Sequence, residues 1–356
     1  MGNKQKKWVP GLFRKKWLLL LLTAIIAVAG IFAYQMYKKI YGTNVDLQGR
    51  PHTYLYIHSG SGVEDVYERI QAQGLVKDFA SFEWLAAKKN YPNHVYPGKY
   101  KITDGMSNNA LIEKLRSGAQ EPVDLTFNNI RTIPQLAGVI SGQIEADSAR
   151  LVILLNDDSF LEQFDMTPQT VPSIFIPNTY ELWWNTSARG FIKRMYKEYH
   201  KFWKGKKRNK ARKMDMTPVQ VTTLASIVDE ETLHDDEMPD IAGVYINRLE
   251  LGMRLQADPT IKYAIGNFSI HRVLKKHLDT DSPYNTYKYP GLPPGPIAIP
   301  SIAAIQAVLN HSNHNYLYFA ASPDFSGYHN FSKTHRQHII NARKYQRALN
   351  QRRIME

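Results

Sequence analysis

Residues 219–237 read VQVTTLASIVDEETLHDDE, an apolar run that ends in three consecutive carboxylates, Asp229, Glu230 and Glu231. Just upstream, Thr217–Pro218 joins a capping residue to a proline at the first helical position, so a helix starts there. Along it Leu224, Ile227, Val228 and Glu231 fall at i, i+3, i+4 and i+7 and share one face. Asp229 and Glu230 lie off that stripe and read as solvated. Glu231 alone is aimed along the buried face, where an unpaired carboxyl resists ionisation and its pKa rises toward neutrality. A general acid at neutral pH requires that shift. The alternative reading of the same pattern is a structural ion pair with Arg248 or Arg254.

One turn on, Asp235 could extend the acidic face, but DDEMPD reads as a break and a fresh cap. A second helix follows over IAGVYINRLELGM, with Ile241, Val244, Tyr245 and Leu249 inward. Glu231 and His234 form an E-x-x-H pair; a di-iron site would need a second such motif. HExxH and P-loop motifs are absent. No metal and no cofactor is expected. The chain has no cysteine, which excludes disulfides, thiolate metal sites, a cysteine nucleophile and a lipid-modified N-terminal cysteine.

The formal charge of +13 is clustered. Lys4, Lys6, Lys7, Arg14, Lys15 and Lys16 precede WLLLLLTAIIAVAGIFAY, Trp17 to Tyr34, which holds no charge. At about 1.5 Å per residue this run spans roughly 27 Å, close to a hydrocarbon core of about 30 Å. Trp17, Tyr34 and Tyr37 sit where an aromatic belt would be, and the basic flank marks the cytoplasmic side. A cleavable signal peptide is the rival, since Ala27-Val28-Ala29 matches an A-x-A site, but the apolar run continues to Ala33, which favours retention. We therefore expect a basic cytoplasmic tail over 1–16, a single transmembrane helix over 17–37 and the remainder outside the cytoplasm, at the inner (cytoplasmic) membrane. MGNKQK lacks the hydroxyl residue that N-myristoylation wants.

Beyond the anchor the fold class is α+β. HTYLYIHSG alternates as a strand; SGVEDVYERIQAQGLV places Val63, Val66 and Ile70 at helical spacing after a serine cap, with Gly74 as the stop. A second helix, a strand and a Ser-capped helix ending at Gly118 follow. The order strand, helix, helix, strand resembles a LysM-like fold, a small glycan-binding module, over 45–120; a spacer lobe reads the same way. A larger α+β domain is expected over 121–350, opening with PVDLTF and helices near 132–141, 148–156 and 159–164. IFIPNTYELWW is aromatic and turn-rich, which suits either sugar stacking or core packing. KFWKGKKRNKARK, Lys201 to Lys213, is strongly basic. Nucleic acid is not expected beyond the membrane, which leaves a solvated face or contact with anionic envelope polymer or lipid headgroups.

LASIVDEET, AGVYINRLELGMRLQADPTIKYAIG, SPYNTYKYPGLPPGPIAIPS and NYLYFAASPDFSGYHNFSKTHRQH, in that order, resemble the YceG-like family of MltG-type endolytic murein transglycosylases. The likeness runs from about Pro51 to the C-terminus. IFIPNTYELWW looks like a variant of the family's EGxLFPxTY stretch, and Asp229 stands where the first acid of its E-x-E is glutamate. The resemblance implies a lytic transglycosylase that cleaves the β-1,4 bond from N-acetylmuramic acid to N-acetylglucosamine in peptidoglycan. It also implies Glu231 as catalytic acid/base, with the muramoyl C6 hydroxyl closing onto C1. A two-carboxylate hydrolase would instead pair Glu231 with Asp235 or Asp258, and a third reading is a non-catalytic glycan-binding anchor. Candidate cleft residues are Gln256 and Asp258 in LQADPT, Tyr284, Asn285 and Thr286 in YNTY, and Tyr180, His329 and Asn330; for each, a turn or core role is the alternative. GLPPGPIAIP is stiff and should form a fixed loop bordering the site. Implied partners are peptidoglycan strands, the membrane and cell-wall synthases.

Overall fold

Helix α1 (Pro10–Tyr41) opens the computed structural model, which describes residues 10–270 and 272–351. Within it Lys15–Tyr41 has a mean hydropathy of 2.4 and is long and apolar enough to cross a membrane. The basic residues Lys4, Lys6 and Lys7 lie outside the described residues. The last turn of α1 is tied down: the Lys39 carbonyl accepts from Asn108 Nδ2 at 3.0 Å, Lys39 Nζ lies 4.5 Å over the Trp84 ring, and Ile40 packs on the core below.

The chain divides into two compact units, the first running to Pro122 and taking in Trp183–Asn185. In this unit β1 (His52–Ile57), α2 (Val63–Ala72), α3 (Phe79–Lys88), β2 (Gly98–Thr103) and α4 (Asn108–Arg116) follow one another. β1 pairs antiparallel with β2, Tyr54 opposite Lys101 and Tyr56 opposite Lys99. Period-two alternation sends Leu55, Ile57, Tyr100 and Ile102 inward, where all are buried. Gly62, not Ser61, caps α2, and Asp65 accepts from the Gly62 amide at 2.7 Å. Gly74, at φ +59, supplies the left-handed turn that stops the helix. Asn44 is buried; its amide donates to Asn108 Oδ1 at 2.7 Å and to the Asp78 carbonyl at 2.9 Å, joining the segment after α1 to α3 and α4.

Apart from Pro122 and Trp183, the second unit holds β3 (Pro122–Phe127), α5 (Ile133–Ser141), α6 (Ser148–Leu155), α7 (Asp158–Leu161), β4 (Asn178–Trp183), α8 (Ala188–Phe202), α9 (Lys206–Lys213) and α10 (Pro218–Glu231). It continues with α11 (Met238–Glu250), α12 (Asp258–Ile265), α13 (Lys275–Leu278), α14 (Ile302–Leu309), β5 (Tyr318–Ala321), β6 (His329–Ser332) and α15 (His335–Gln351). β3 pairs with β4, and β5 pairs antiparallel with β6. The fold is thus mixed α+β, with small two-stranded sheets set among helices.

α10 lies at the centre of this unit. Thr217 and Gln220 form a capping box at its start, with Pro218 at the first position, as the sequence implies. The one-sided stripe does not hold, however: every residue from Val221 to Val228 is buried, so α10 is enclosed on all faces. Its hydroxyls are accommodated by back-bonding, Thr222 to Pro218, Thr223 to Val219 and Ser226 to Thr223. α14 and α11 pack against it. The proline loop 291–300 runs alongside, its Ile297 amide donating to Ser226 Oγ at 3.0 Å and its Ile299 amide to the Ile130 carbonyl at 2.8 Å. Gly295 permits this passage, since a Cβ there would stand 1.9 Å from the Gln169 carbonyl oxygen.

Candidate active site

Glu231 is the last residue of α10, and the chain leaves the helix at Thr232 in extended conformation. The side chain keeps a partial opening to solvent. α11 brings Tyr245, 1% exposed, against it, and the Tyr245 hydroxyl donates to Glu231 Oε1 at 2.6 Å. Burial pushes the Glu231 carboxyl up to about 7 from its ordinary 4.5, against the opposing pull of the Tyr245 hydrogen bond. The Asp258 charge adds to the rise, while Lys262 and Arg248 oppose it. Burial, then the neighbouring Glu231, hold the Tyr245 phenol far above its usual range, so it stays a donor. The ion pair with Arg248 or Arg254 raised by the sequence is not formed: Arg248 gives its Nε to the Leu317 carbonyl and an Nη to that of Leu255.

The two neighbouring acids are not simply solvated. Asp229 accepts from the Ser301 amide at 3.0 Å and from Ser301 Oγ at 2.6 Å, and burial raises its pKa. It thereby fixes the residue that caps α14, whose Oγ accepts from the Ala304 amide. Glu230 takes a two-pronged bond from Arg131, both contacts at 2.9 Å. These partners lie 72 and 99 residues away in sequence, beyond the reach of a local pattern. Asp235 falls after the helix ends and is exposed.

The E-x-x-H pair separates. His234 stacks on Tyr328, ring centroids 3.9 Å apart, with Nε2 at 3.0 Å from the Ser326 carbonyl. Among the described residues no group of three or more metal-ligating side chains comes together.

Asp258 opens α12 on the surface, and Tyr287, which the sequence reading did not single out, donates its hydroxyl to Asp258 Oδ1. Burial and then the Asp258 charge raise the Tyr287 pKa, with a smaller contribution from Glu231, so these groups share one electrostatic neighbourhood. Gln256 is exposed at φ +51, its amide bonded to the Thr286 carbonyl at 3.1 Å.

Four other candidates are committed to the protein itself. Asn285 is fully buried, its Nδ2 donating to the Leu278 and Thr280 carbonyls and its Oδ1 accepting from the Tyr287 and Lys288 amides. Thr286 Oγ1 accepts from the Ala257 amide and lies 2.8 Å from Thr260 Oγ1. These two residues therefore brace the turns that carry Tyr287 and Asp258. Tyr284 packs its ring on Tyr263 at 4.6 Å. Tyr180 is buried, stacked on Phe127 at 5.8 Å, with its hydroxyl donated to the Ile176 carbonyl at 2.5 Å. In the same stretch Ile174, Phe175 and Ile176 also lie in the core, whereas Trp183 is exposed.

His329 connects to the site indirectly. Its amide and Nδ1 reach the buried Glu237 carboxylate at 2.6 and 2.8 Å, at the start of α11. Its ring packs edge-on to Phe319, which packs edge-on to Tyr245. Asn330 lies on β6 opposite Ala320.

Residues 55–344 match the YceG-like family. An endolytic murein transglycosylase of Bacillus subtilis (strain 168) is 30% identical over 345 residues, which cover 92% of this chain and 93% of that protein. One from Streptococcus pneumoniae (serotype 2, strain D39) is 28% identical over 340 residues; the match covers 85% of this chain and 60% of the longer relative. The crystal structure of a YceG-like protein from Listeria monocytogenes superposes with a TM-score of 0.54 at 28% identity, covering 81% of this chain and 98% of that one.

Proposed function

The chain belongs to the YceG-like family, and on that premise we propose that it is an endolytic transglycosylase of peptidoglycan that uses Glu231 as its single acid/base. The observation that carries this reading is a carboxyl at the end of a helix whose middle is buried, held at one oxygen by Tyr245 and raised by burial to about 7. Tyr245 occupies Oε1 and leaves Oε2 for the substrate. Protonated Glu231 donates to the glycosidic oxygen as its bond to the muramoyl C1 breaks. The resulting carboxylate takes the proton of the muramoyl C6 hydroxyl as that oxygen bonds to C1. No water is consumed, the product end is an anhydro sugar, and Glu231 regains its proton. A pKa near the working pH serves both halves, since the same group must give and then accept. Asp258 and Tyr287, which interact electrostatically with Glu231, would border the bound sugar; Asn285 and Thr286 brace their turns.

In this reading α1 anchors the chain with its basic end in the cytoplasm, placing the second unit where wall strands and their synthases are found. The first unit serves as a LysM-like glycan-binding lobe. A second reading, a hydrolase with Asp258 as base, draws on the Asp258 charge felt at Glu231.

The test is a digest of purified peptidoglycan with the whole chain in a neutral detergent, beside Glu231→Gln, with product ends identified by mass. Anhydro-muramoyl ends from the wild type alone are expected. Reducing muramoyl ends would move the assignment to the hydrolase, and products from the Gln variant at wild-type rate would sink Glu231 as the acid.

A further inference from the structure

Residues 201–213 carry eight lysines and arginines and no acid, and nothing in the proposed reaction uses them. Gly205, at φ +70, turns the chain from α8 into α9. As built, α9 is electrostatically unfavourable. Lys206 and Lys207 stand at its positive N-terminal end, which has no side-chain cap. Lys206 with Lys210, and Arg208 with Arg212, are like charges four residues apart. Among the described residues, only Lys201 of the eight has a carboxylate within ion-pair reach, Glu198 at 3.7 Å. Lys207 lies 4.4 Å over the Phe202 ring, and Lys210 bonds the neutral Asn310. Lys206, Lys210 and Lys213 recur at i, i+4 and i+7, a stripe about 10 Å long.

Beside α9 is a cavity of about 410 Å³ lined by Tyr196, Tyr199, Trp203, Lys204 and Arg208, with Asp165 the one acid in its wall. Trp203 is 3% exposed, and its Nε1–H has no hydrogen-bond partner. An indole N–H can only donate, so the one group that would satisfy it is an acceptor.

We propose that this elbow binds a linear polymer of phosphodiester-linked polyols. Phosphates lie along Lys206, Lys210 and Lys213, and one repeat enters the cavity between Lys204 and Arg208, where its oxygen accepts from Trp203. A lipid surface fits less well. Residues 201–213 present no exposed apolar side chain for insertion, since Trp203 and Ala211 are buried and Phe202 is half-buried beneath Lys207. Cations are also spread over several faces of α9, of which a flat bilayer reaches one. Nucleic acid fits less well because the Tyr199 and Trp203 rings are buried and half-buried Tyr196 is packed between Phe164 and His200, leaving bases little face to stack on.

The whole chain, in neutral-detergent micelles, is titrated into fluorescein-labelled poly(glycerol phosphate) at several salt concentrations and followed by anisotropy. Binding is expected to weaken with salt at a log–log slope of roughly −3, about one ion per phosphate held. Lys206→Gln/Lys210→Gln/Lys213→Gln together should weaken binding at least tenfold, flatten the slope and raise the melting temperature by relieving repulsion. Trp203→Phe keeps the ring and should weaken binding several-fold at unchanged slope. Absence of binding at low salt, or wild-type binding by the triple variant, overturns the site. Tighter binding to phosphatidylglycerol vesicles or to duplex DNA than to the polymer overturns the ligand.

Discussion

Replacing Glu231 by Gln tests the central feature without requiring any substrate. The folded carboxyl has its pKa raised to about 7 from 4.5. Below the lower value Glu231 is protonated in folded and unfolded chains alike, and its full contribution to stability is present. Between the two values the unfolded chain releases the proton while the folded chain keeps it, so stability falls as pH rises. Above the folded value the loss is complete, at about 3 kcal/mol for this separation of pKa values. Glutamine matches the neutral acid in shape, and its amide oxygen can accept from Tyr245 as Oε1 does. The two proteins should therefore have similar unfolding free energies near pH 4. The Gln variant should be more stable by about 3 kcal/mol, roughly a hundredfold in the unfolding constant, by about pH 8.5. Urea denaturation of the whole chain in a neutral detergent, followed by near-UV circular dichroism across that range, measures the gap directly. Titrating groups that do not interact with Glu231 contribute equally to both proteins and cancel. A gap that stays below about 1 kcal/mol, or opens toward acid, would refute a buried, proton-retaining carboxyl.

Tyr245→Phe removes the hydrogen bond that favours the Glu231 carboxylate, so the alkaline limb of peptidoglycan digestion should move to higher pH; a shift to lower pH would contradict the geometry. Asp229→Ala leaves the Ser301 amide and hydroxyl without their acceptor and should cost about 1–3 kcal/mol, read as a lower denaturation midpoint, with Asp229→Asn recovering part of it. Gly295→Ala sets a Cβ against the Gln169 carbonyl and should cost about 3 kcal/mol; wild-type melting would mean the proline loop does not lie where it is described. A chain begun at Asp46 loses Asn44 and the buried Val45. It should melt several degrees below one begun at Gly42 in the transition of the first unit, and equal melting would show the Asn44 bonds to be dispensable.

What the sequence made legible was local. Thr217–Pro218 in the second unit and Gly74 and Gly118 in the first act through capping and backbone conformation within a few residues, and the first unit's strand–helix–helix–strand order follows from its glycine stops and hydrophobic period. The partners of polar side chains were not legible in the same way. Asp229 and Glu230 were read as solvated because a one-stripe helix has a wet side. α10 is buried all round from Val221 to Val228, and each acid just beyond is met by a residue from a distant segment. Asn285 and Thr286 read as cleft residues because they are polar and sit between tyrosines. Their hydrogen bonds are instead used up by loop backbone and by Thr260, which periodicity cannot show. Tyr287, two residues on, kept a hydroxyl for Asp258, and Tyr245, read only as an inward core residue, proved to be the direct partner of Glu231.

The position of Glu231 in α10 explains why its shift has the sign that acid catalysis needs. The carbonyls of the last helical turn are left without intrahelical partners and carry roughly half a negative charge. A carboxylate placed there meets like charge and is disfavoured relative to the acid. At a fully exposed helix end water and salt would screen this effect; here the last turn is half-buried and follows the buried stretch Val221–Val228, so screening is reduced. Desolvation raises the Glu231 pKa, opposed by the Tyr245 hydrogen bond and then by Lys262 and Arg248; a carboxylate at a helix C-terminus is disfavoured in the same direction as desolvation. Moving the carboxyl one residue back, to Glu230, puts both its oxygens in the two-pronged bond from Arg131. Of three consecutive acids, then, the one that combines a neutral donor, a helix C-terminus and a partial opening to solvent is the one suited to hold a proton and release it.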